Sequence, residues 1–140
     1  MFNHIMVPVD LAEKQVQNAA LQVAADQARL YGATVTLISV TGGIQARVSH
    51  SAAKYETLLR GFADAAGTRL GVPFGARVYD VPDPSVEVDR ILIGAIGELG
   101  IDLVVMATHQ PGWVEHFVNS HGGRMAAHAP VSVFVVRSGG

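Results

Sequence analysis

Residues 101–110 read Ile101-Asp102-Leu103-Val104-Val105-Met106-Ala107-Thr108-His109-Gln110. The run Leu103–Ala107 is apolar throughout and is bounded by polar residues. A short run with no polar alternation suits a strand covered on both faces, as in the middle of a parallel sheet. Near the start of the chain, Phe2–Val9 ends in Ile5-Met6-Val7-Pro8-Val9 and reads the same way. Pro8 stands near its end, where a missing ladder bond costs least. Val35–Val40 and Val131–Val136 are two further apolar strands. Phe74–Tyr79 alternates weakly and carries Arg77, which reads as an edge strand.

Helical windows fill the gaps. Over Glu13–Tyr31, the residues Val16, Ala20, Val23, Ala24, Gln27 and Leu30 share one face, and Gly32 is a natural stop. His50–Leu70 places Tyr55, Leu58, Leu59, Phe62, Ala65, Ala66 and Leu70 in register, and Gly71 and Pro73 end it. Val88, Ile91, Leu92, Ala95, Ile96 and Leu99 mark a third helix that stops at Gly100. His121–Ala129 reads as a fourth, ended by Pro130. Residues 41–50, with Gly42-Gly43, read as a loop, and Asp80–Ser85 is turn chemistry. Strands alternating with helices in this way give an α/β fold: a doubly wound five-stranded parallel sheet with helices on both faces. Ligands of such sheets bind beyond the carboxyl ends of the strands, where the strand order reverses. The positions to watch therefore follow the first, second and fourth strands: Asp10, Val40 and Ala107 onward.

The chain has 140 residues, which fits one domain over 1–140, with 138–140 a loose tail. It has no cysteine, so no disulfide, thiolate metal site or cysteine nucleophile is available. A net charge of −2 argues against nucleic acid or anionic lipid as the main partner. No apolar run reaches the ~20 residues that span a bilayer, so no membrane insertion is expected. The first ten residues lack the pattern of a signal peptide, and the cytoplasm is the expected compartment. Charged residues make up only 16% of the chain, against about 25% in an average soluble domain, which predicts an oligomer.

Three stretches together resemble the universal stress protein family over essentially the whole chain. They are Ile5-Met6-Val7-Pro8-Val9-Asp10, Asp102–His109, and Arg124-Met125-Ala126-Ala127-His128-Ala129-Pro130 running into Val131–Arg137. The last is the most specific, because a helix, a His-Ala-Pro turn and a final strand recur together. The resemblance implies a five-stranded Rossmann-like sandwich of the adenine nucleotide alpha hydrolase-like kind. It also implies a homodimer, here through residues 131–136, and a stress-response role exercised through a regulatory protein partner that the sequence does not identify. The implied ligand is ATP or another adenine nucleotide, with or without Mg2+. The alternative is a stress-protein dimer that binds no ATP and acts through protein contacts alone.

In ATP-binding members the fourth strand runs into Gly-x-x-Gly, nine residues, then Gly-Ser or Gly-Thr. Glycine lets backbone N–H groups approach a phosphate at a helix start. Here the first two glycine positions are Ala107 and Gln110, and the third falls on Asn119-Ser120 with a gap one residue shorter. Thr108-His109-Gln110-Pro111 is similar to the UspF-like branch, which has Ser-His-Arg-Pro there. A retained site would use Asn119, Ser120 and the helix-start amides through His121; otherwise this is an ordinary loop and cap. Pro8, Val9 and Val40 match positions that line the family's adenine pocket, and Met106, Ala107 and His109 complete the candidate set. Asp10 matches a residue near the adenosine or metal end, and would also serve as a helix cap. The usual Gly-Ser after it is Leu11-Ala12. Pro84 precedes Ile91-Leu92 by seven residues rather than about four, so either the third helix gains a turn or the loop is longer. Trp113 reads as a hydrophobic lid or a base-stacking residue. Four of the six histidines, His109, His116, His121 and His128, are spaced by 7, 5 and 7 residues, which supplies no His-x-x-x-His pair, and no metal site is predicted. There is no Gly-x-Ser-x-Gly elbow, P-loop or Gly-x-Gly-x-x-Gly, so no enzyme with dedicated catalysis is expected, at most slow incidental ATP hydrolysis.

Overall fold

The computed structural model describes residues 1–11, 17–42, 52–107 and 131–137. Their elements are β1 (His4–Pro8), α1 (Asn18–Tyr31), β2 (Thr34–Thr41), α2 (Ala52–Leu70), β3 (Phe74–Asp80), α3 (Pro84–Leu99), β4 (Leu103–Ala107) and β5 (Ser132–Val136). The strands form one sheet in the order β3-β2-β1-β4-β5, and every pairing is parallel. This is the doubly wound sheet expected from the alternation, with β3 at an edge as its weak pattern predicted. The order reverses between β1 and β4, the switch point of the fold.

Side chains alternate across each strand, and this sorts the core into two layers. Ile5, Val7, Val9, Val35, Leu37, Leu103, Val105 and Ala107 pack with α1 and α2. Met6, Ile38, Val40, Val104 and Met106 pack with Leu92 and Ile96 of α3. Every residue of β4 is buried, so its two-faced apolar reading holds.

The helix faces needed correction. α1 buries Ala20, Leu21, Ala24, Ala25 and Ala28, while Leu30 is 69% exposed and Val23 and Gln27 are half-buried. The buried stripe is made of alanines, which let the helix lie close to the sheet. The bulkier aliphatic residues misled the sequence reading by a fraction of a turn. In α2 likewise, Ala63 is buried and Leu58 is 51% exposed. α1 and α3 do end where the glycines predicted: Gly32 and Gly100 both adopt a left-handed φ of 66°. α3 begins at Pro84, so the extra residues lengthen the helix rather than the loop. Residues 12–16, at the start of the expected first helix, lie outside the described residues, as does the helix expected over 121–129.

At the amino end of the sheet, Asp102 ties β1 to β4. Its carboxylate accepts from the backbone N–H of Asn3 (2.8 Å) and of His4 (3.1 Å), and its own N–H donates to His4 O (3.0 Å). The His4 ring adds Nδ1 to Leu99 O (2.8 Å) and Nε2 to Thr36 Oγ1 (2.7 Å). Nδ1 must carry the proton, because a carbonyl can only accept.

At the opposite end, β2 leaves the sheet through Gly42. Its φ is +147°, and a Cβ there would stand 1.7 Å from Val81 O, just where Val81 N–H donates to Thr41 O (2.8 Å). Gly42→Ala is therefore expected to lower unfolding free energy by about 2–4 kcal/mol, from overlap and strain together. Urea denaturation of the two proteins measures it; a loss within ~0.5 kcal/mol, the size of a neutral surface change, would mean that the two segments are not this close.

Candidate functional site

Strands β1 and β4 pair only through Ile5↔Leu103 and Met6↔Val104. Beyond that point β1 stays with β2, through Val7↔Leu37 and Pro8↔Ile38, and β4 stays with β5 as far as Ala107↔Val136. The cause is local. Val9 N–H donates to Ile38 O on β2 (2.8 Å). Backbone groups alternate sides along a strand, so the nitrogen of Pro8 faces β4, and proline has no hydrogen to give there. The ladder thus stops at the carboxyl end and the switch point, where sheets of this class bind ligands.

Six of the residues expected at the site gather at this end. Pro8, Val9, Met106 and Ala107 are buried at the ends of β1 and β4, Val40 is buried near the end of β2, and Asp10 is half-buried just beyond Val9. Val9 and Ala107 face the α1–α2 layer, whereas Val40 and Met106 face α3. These four are core residues. His109, Gln110, Asn119, Ser120 and His121 lie outside the described residues, as does Trp113. Of the histidines only His4 is described, and it stands at the amino end; among the described residues no cluster could hold a metal ion.

The structure adds polar residues that the sequence reading passed over. Ser39 is fully buried, and its hydroxyl donates to Val9 O (2.6 Å). Tyr55, at the start of α2, is buried near Ser39, Leu11 and Asp10, all of which act on its phenol. Gln17 and Thr41 are fully buried, and among the described residues the Gln17 amide nitrogen and oxygen and Thr41 Oγ1 have no hydrogen-bond partner. Gln17 precedes α1 and Thr41 ends β2, so both belong to the carboxyl end. A signal for them was available: Ser39 and Thr41 interrupt an apolar strand at alternate positions, and Tyr55 brings a hydroxyl to a buried helix face. A groove of about 440 Å³ between the end of α2 and the start of β3 lies at the amino end, away from these residues.

The comparisons with known proteins agree with this architecture. Residues 1–137 match the family model described as Universal stress protein family. The chain belongs to that family. Universal stress protein G of Salmonella typhimurium is 26% identical over 145 residues, covering 98% of this chain and 100% of that protein. A crystal structure of a universal stress protein family member from Burkholderia pseudomallei superposes with a TM-score of 0.69 at 23% identity, covering 97% of this chain and 96% of that one. An Arabidopsis thaliana family protein solved with AMP bound gives 0.66 at 16% identity, covering 98% and 92%. An Archaeoglobus fulgidus member in complex with dAMP gives 0.65 at 17% identity, covering 95% and 96%.

Burial raises the pKa of Tyr55 above its ordinary 10.0, the bonds to Ser39 and Leu11 pull it down, and the Asp10 charge pushes it up again. Folding therefore favours the neutral phenol. That contribution is complete below pH ~10 and is lost as pH rises through the raised folded value. The stability gap between the protein and its Tyr55→Phe variant is expected to narrow as pH rises above the ordinary phenol value of about 10. Chemical denaturation of both across that range tests it, and a constant gap contradicts it. Tyr79, raised by burial and by its bond to Glu98, titrates in both proteins and cancels.

Proposed function

We propose that this protein is a cytoplasmic stress-response regulator that binds an adenine nucleotide at the carboxyl ends of β1 and β4, works as a homodimer and has no dedicated catalysis. The observation that carries the reading is the end of the β1–β4 ladder at Pro8, at the switch point, with half-buried Asp10 two residues further on. The residues present fit the adenosine end. By their match to the family's adenine pocket, Pro8, Val9 and Val40 would border the base mainly through their backbones, and the Asp10 carboxylate would accept from ribose hydroxyls or an amino group. Buried polar groups without partners cost roughly 1–3 kcal/mol each, so Gln17 and Thr41 leave hydrogen-bonding capacity at the same end of the sheet. AMP and dAMP in family members of the same fold support adenine as the base. Asn119, Ser120 and the helix start at His121 would hold the phosphates, by their match to the family loop. ATP and Mg2+ are the finer form of the proposal.

Calorimetric titration with AMP and with Mg-ATP, after checking for co-purified nucleotide, is the test. Micromolar binding is expected, and Asp10→Ala with Ser120→Ala is expected to weaken it at least tenfold. No binding at millimolar nucleotide would select the second reading, a family scaffold acting through protein contacts alone. The observation favouring that reading is Ala107 and Gln110 standing where ATP-binding members have glycine.

Strand β5 supports the homodimer. It is an edge strand, with Phe134 42% exposed and Val133, Val135 and Val136 half-buried. Unprotected apolar edges of this kind invite strand pairing with another chain. Val133→Lys or Val135→Glu is expected to give a monomer or an unfolded chain in sedimentation; a folded dimer would move the interface elsewhere.

A further inference from the structure

We infer that the two edges of the sheet have opposite roles: a cluster of Arg77, Tyr79 and Glu98 bars strand addition at β3, so that assembly through β5 stops at two copies. The inference goes beyond the homodimer reading, and the number two rests on that reading.

Among the described residues the sheet ends in β3 on one side and in β5 on the other. An edge strand presents unpaired N–H and C=O groups to any chain that can lie beside it. Pairing β5 with the β5 of a second copy uses one patch twice and closes. Pairing β5 with the β3 of a second copy leaves a β3 and a β5 free at the ends, and such addition continues without limit. The character of β3 therefore decides between a pair and a fibre.

Arg77 and Tyr79 are two residues apart and share one face of β3. Their ladder partners, Ile38 and Val40, belong to the core layer beneath α3, so this face is the inward one. An inward-pointing charge on an edge strand obstructs a neighbouring strand. Here the charge is held in place. Arg77 Nη2 donates to Glu98 Oε1 of α3 at 2.6 Å, and the Tyr79 hydroxyl donates to Glu98 Oε2 at 3.1 Å. The guanidinium also stands 5.5 Å from the centre of the Tyr79 ring. The Arg77 and Glu98 side chains are 46% and 49% exposed, so the pair is hydrated. A strand laid beside β3 brings the layer that covers its own sheet, and that layer strips water from the pair. The mutual attraction of two buried charges does not regularly offset their lost hydration. β5 is the reverse case. From Ser132 to Val136 it carries no charge, Phe134 is 42% exposed, and covering it removes apolar surface from water.

Sedimentation velocity of the whole protein over a range of concentrations is the test. The wild-type protein is expected to stop at two copies. Arg77→Val with Glu98→Leu removes the obstruction, and because an exposed ion pair adds little to stability this variant is expected to fold. Its mean sedimenting mass is expected to rise at least about twofold above the wild type as concentration increases. The control is Arg60→Leu with Glu56→Leu, the same kind of change at an exposed pair on α2, and it is expected to sediment like the wild type. A β3 double variant that is folded by circular dichroism and keeps the wild-type mass overturns the inference. If that variant does not fold, Arg77→Thr alone is read in the same way. A control that assembles equally also overturns it, since any new apolar surface would then suffice, and so does a wild-type protein that grows past two copies. Should the wild-type protein sediment as one copy, the homodimer reading falls, and the inference is decided by whether the β3 double variant adds a copy.

Discussion

The structure depends on one missing hydrogen. Pro8 turns its nitrogen toward β4 and has nothing to donate, so the central ladder of the sheet stops after Met6 and Val104. An ordinary residue there would offer the next rung, and β1 and β4 would be free to remain paired to their ends. The ladder therefore ends at the carboxyl side of the switch point, where sheets of this class bind ligands. The cost is small, since the lost bond lies at the end of a strand.

The opposite end of the same pair is closed tightly. Asp102 accepts two N–H groups from the start of β1 and returns its own to His4 O, and His4 reaches both the last turn of α3 and β2. The sheet is thus fastened at its amino end and open at its carboxyl end. That division of labour explains why the apolar site residues are also core residues. Val9, Val40, Met106 and Ala107 are held in place by packing in two different layers. A rigid scaffold with a short restrained turn at its rim suits a site that must distinguish bound from empty without reorganising the core.

Membership of the universal stress protein family follows from the match over residues 1–137, and the sheet order and the likeness to solved members agree with it. Within that family this chain carries its own polar equipment. Ser39 is buried with its hydroxyl donated to Val9 O, while Gln17 and Thr41 are buried at the same end without partners among the described residues. Satisfied groups of this kind rigidify a fold, and unsatisfied ones cost stability until something pairs with them. Both kinds lie where the fold class places ligands.

Much of this was legible in the order of residues. The apolar runs Ile5–Val9 and Leu103–Ala107, with helices between strands, determined a parallel sheet covered on both faces, because two-faced apolar strands have no other soluble arrangement. Gly32 and Gly100 marked helix ends because only glycine takes the left-handed turn without penalty. The same reasoning placed Asp10, Val40 and Ala107 at the end of the sheet that binds ligands. Periodicity misjudged the buried faces of α1 and α2, since it weighs bulk, and α1 buries small alanines against the sheet while leaving Leu30 outside. Only the tertiary structure decided that the β1–β4 ladder ends at Pro8, and that the Ser39 hydroxyl meets Val9 O. Those facts depend on which neighbour a backbone nitrogen faces and which hydroxyls two distant segments bring together. A linear pattern does not contain that information, because it arises from contacts between residues far apart in the chain.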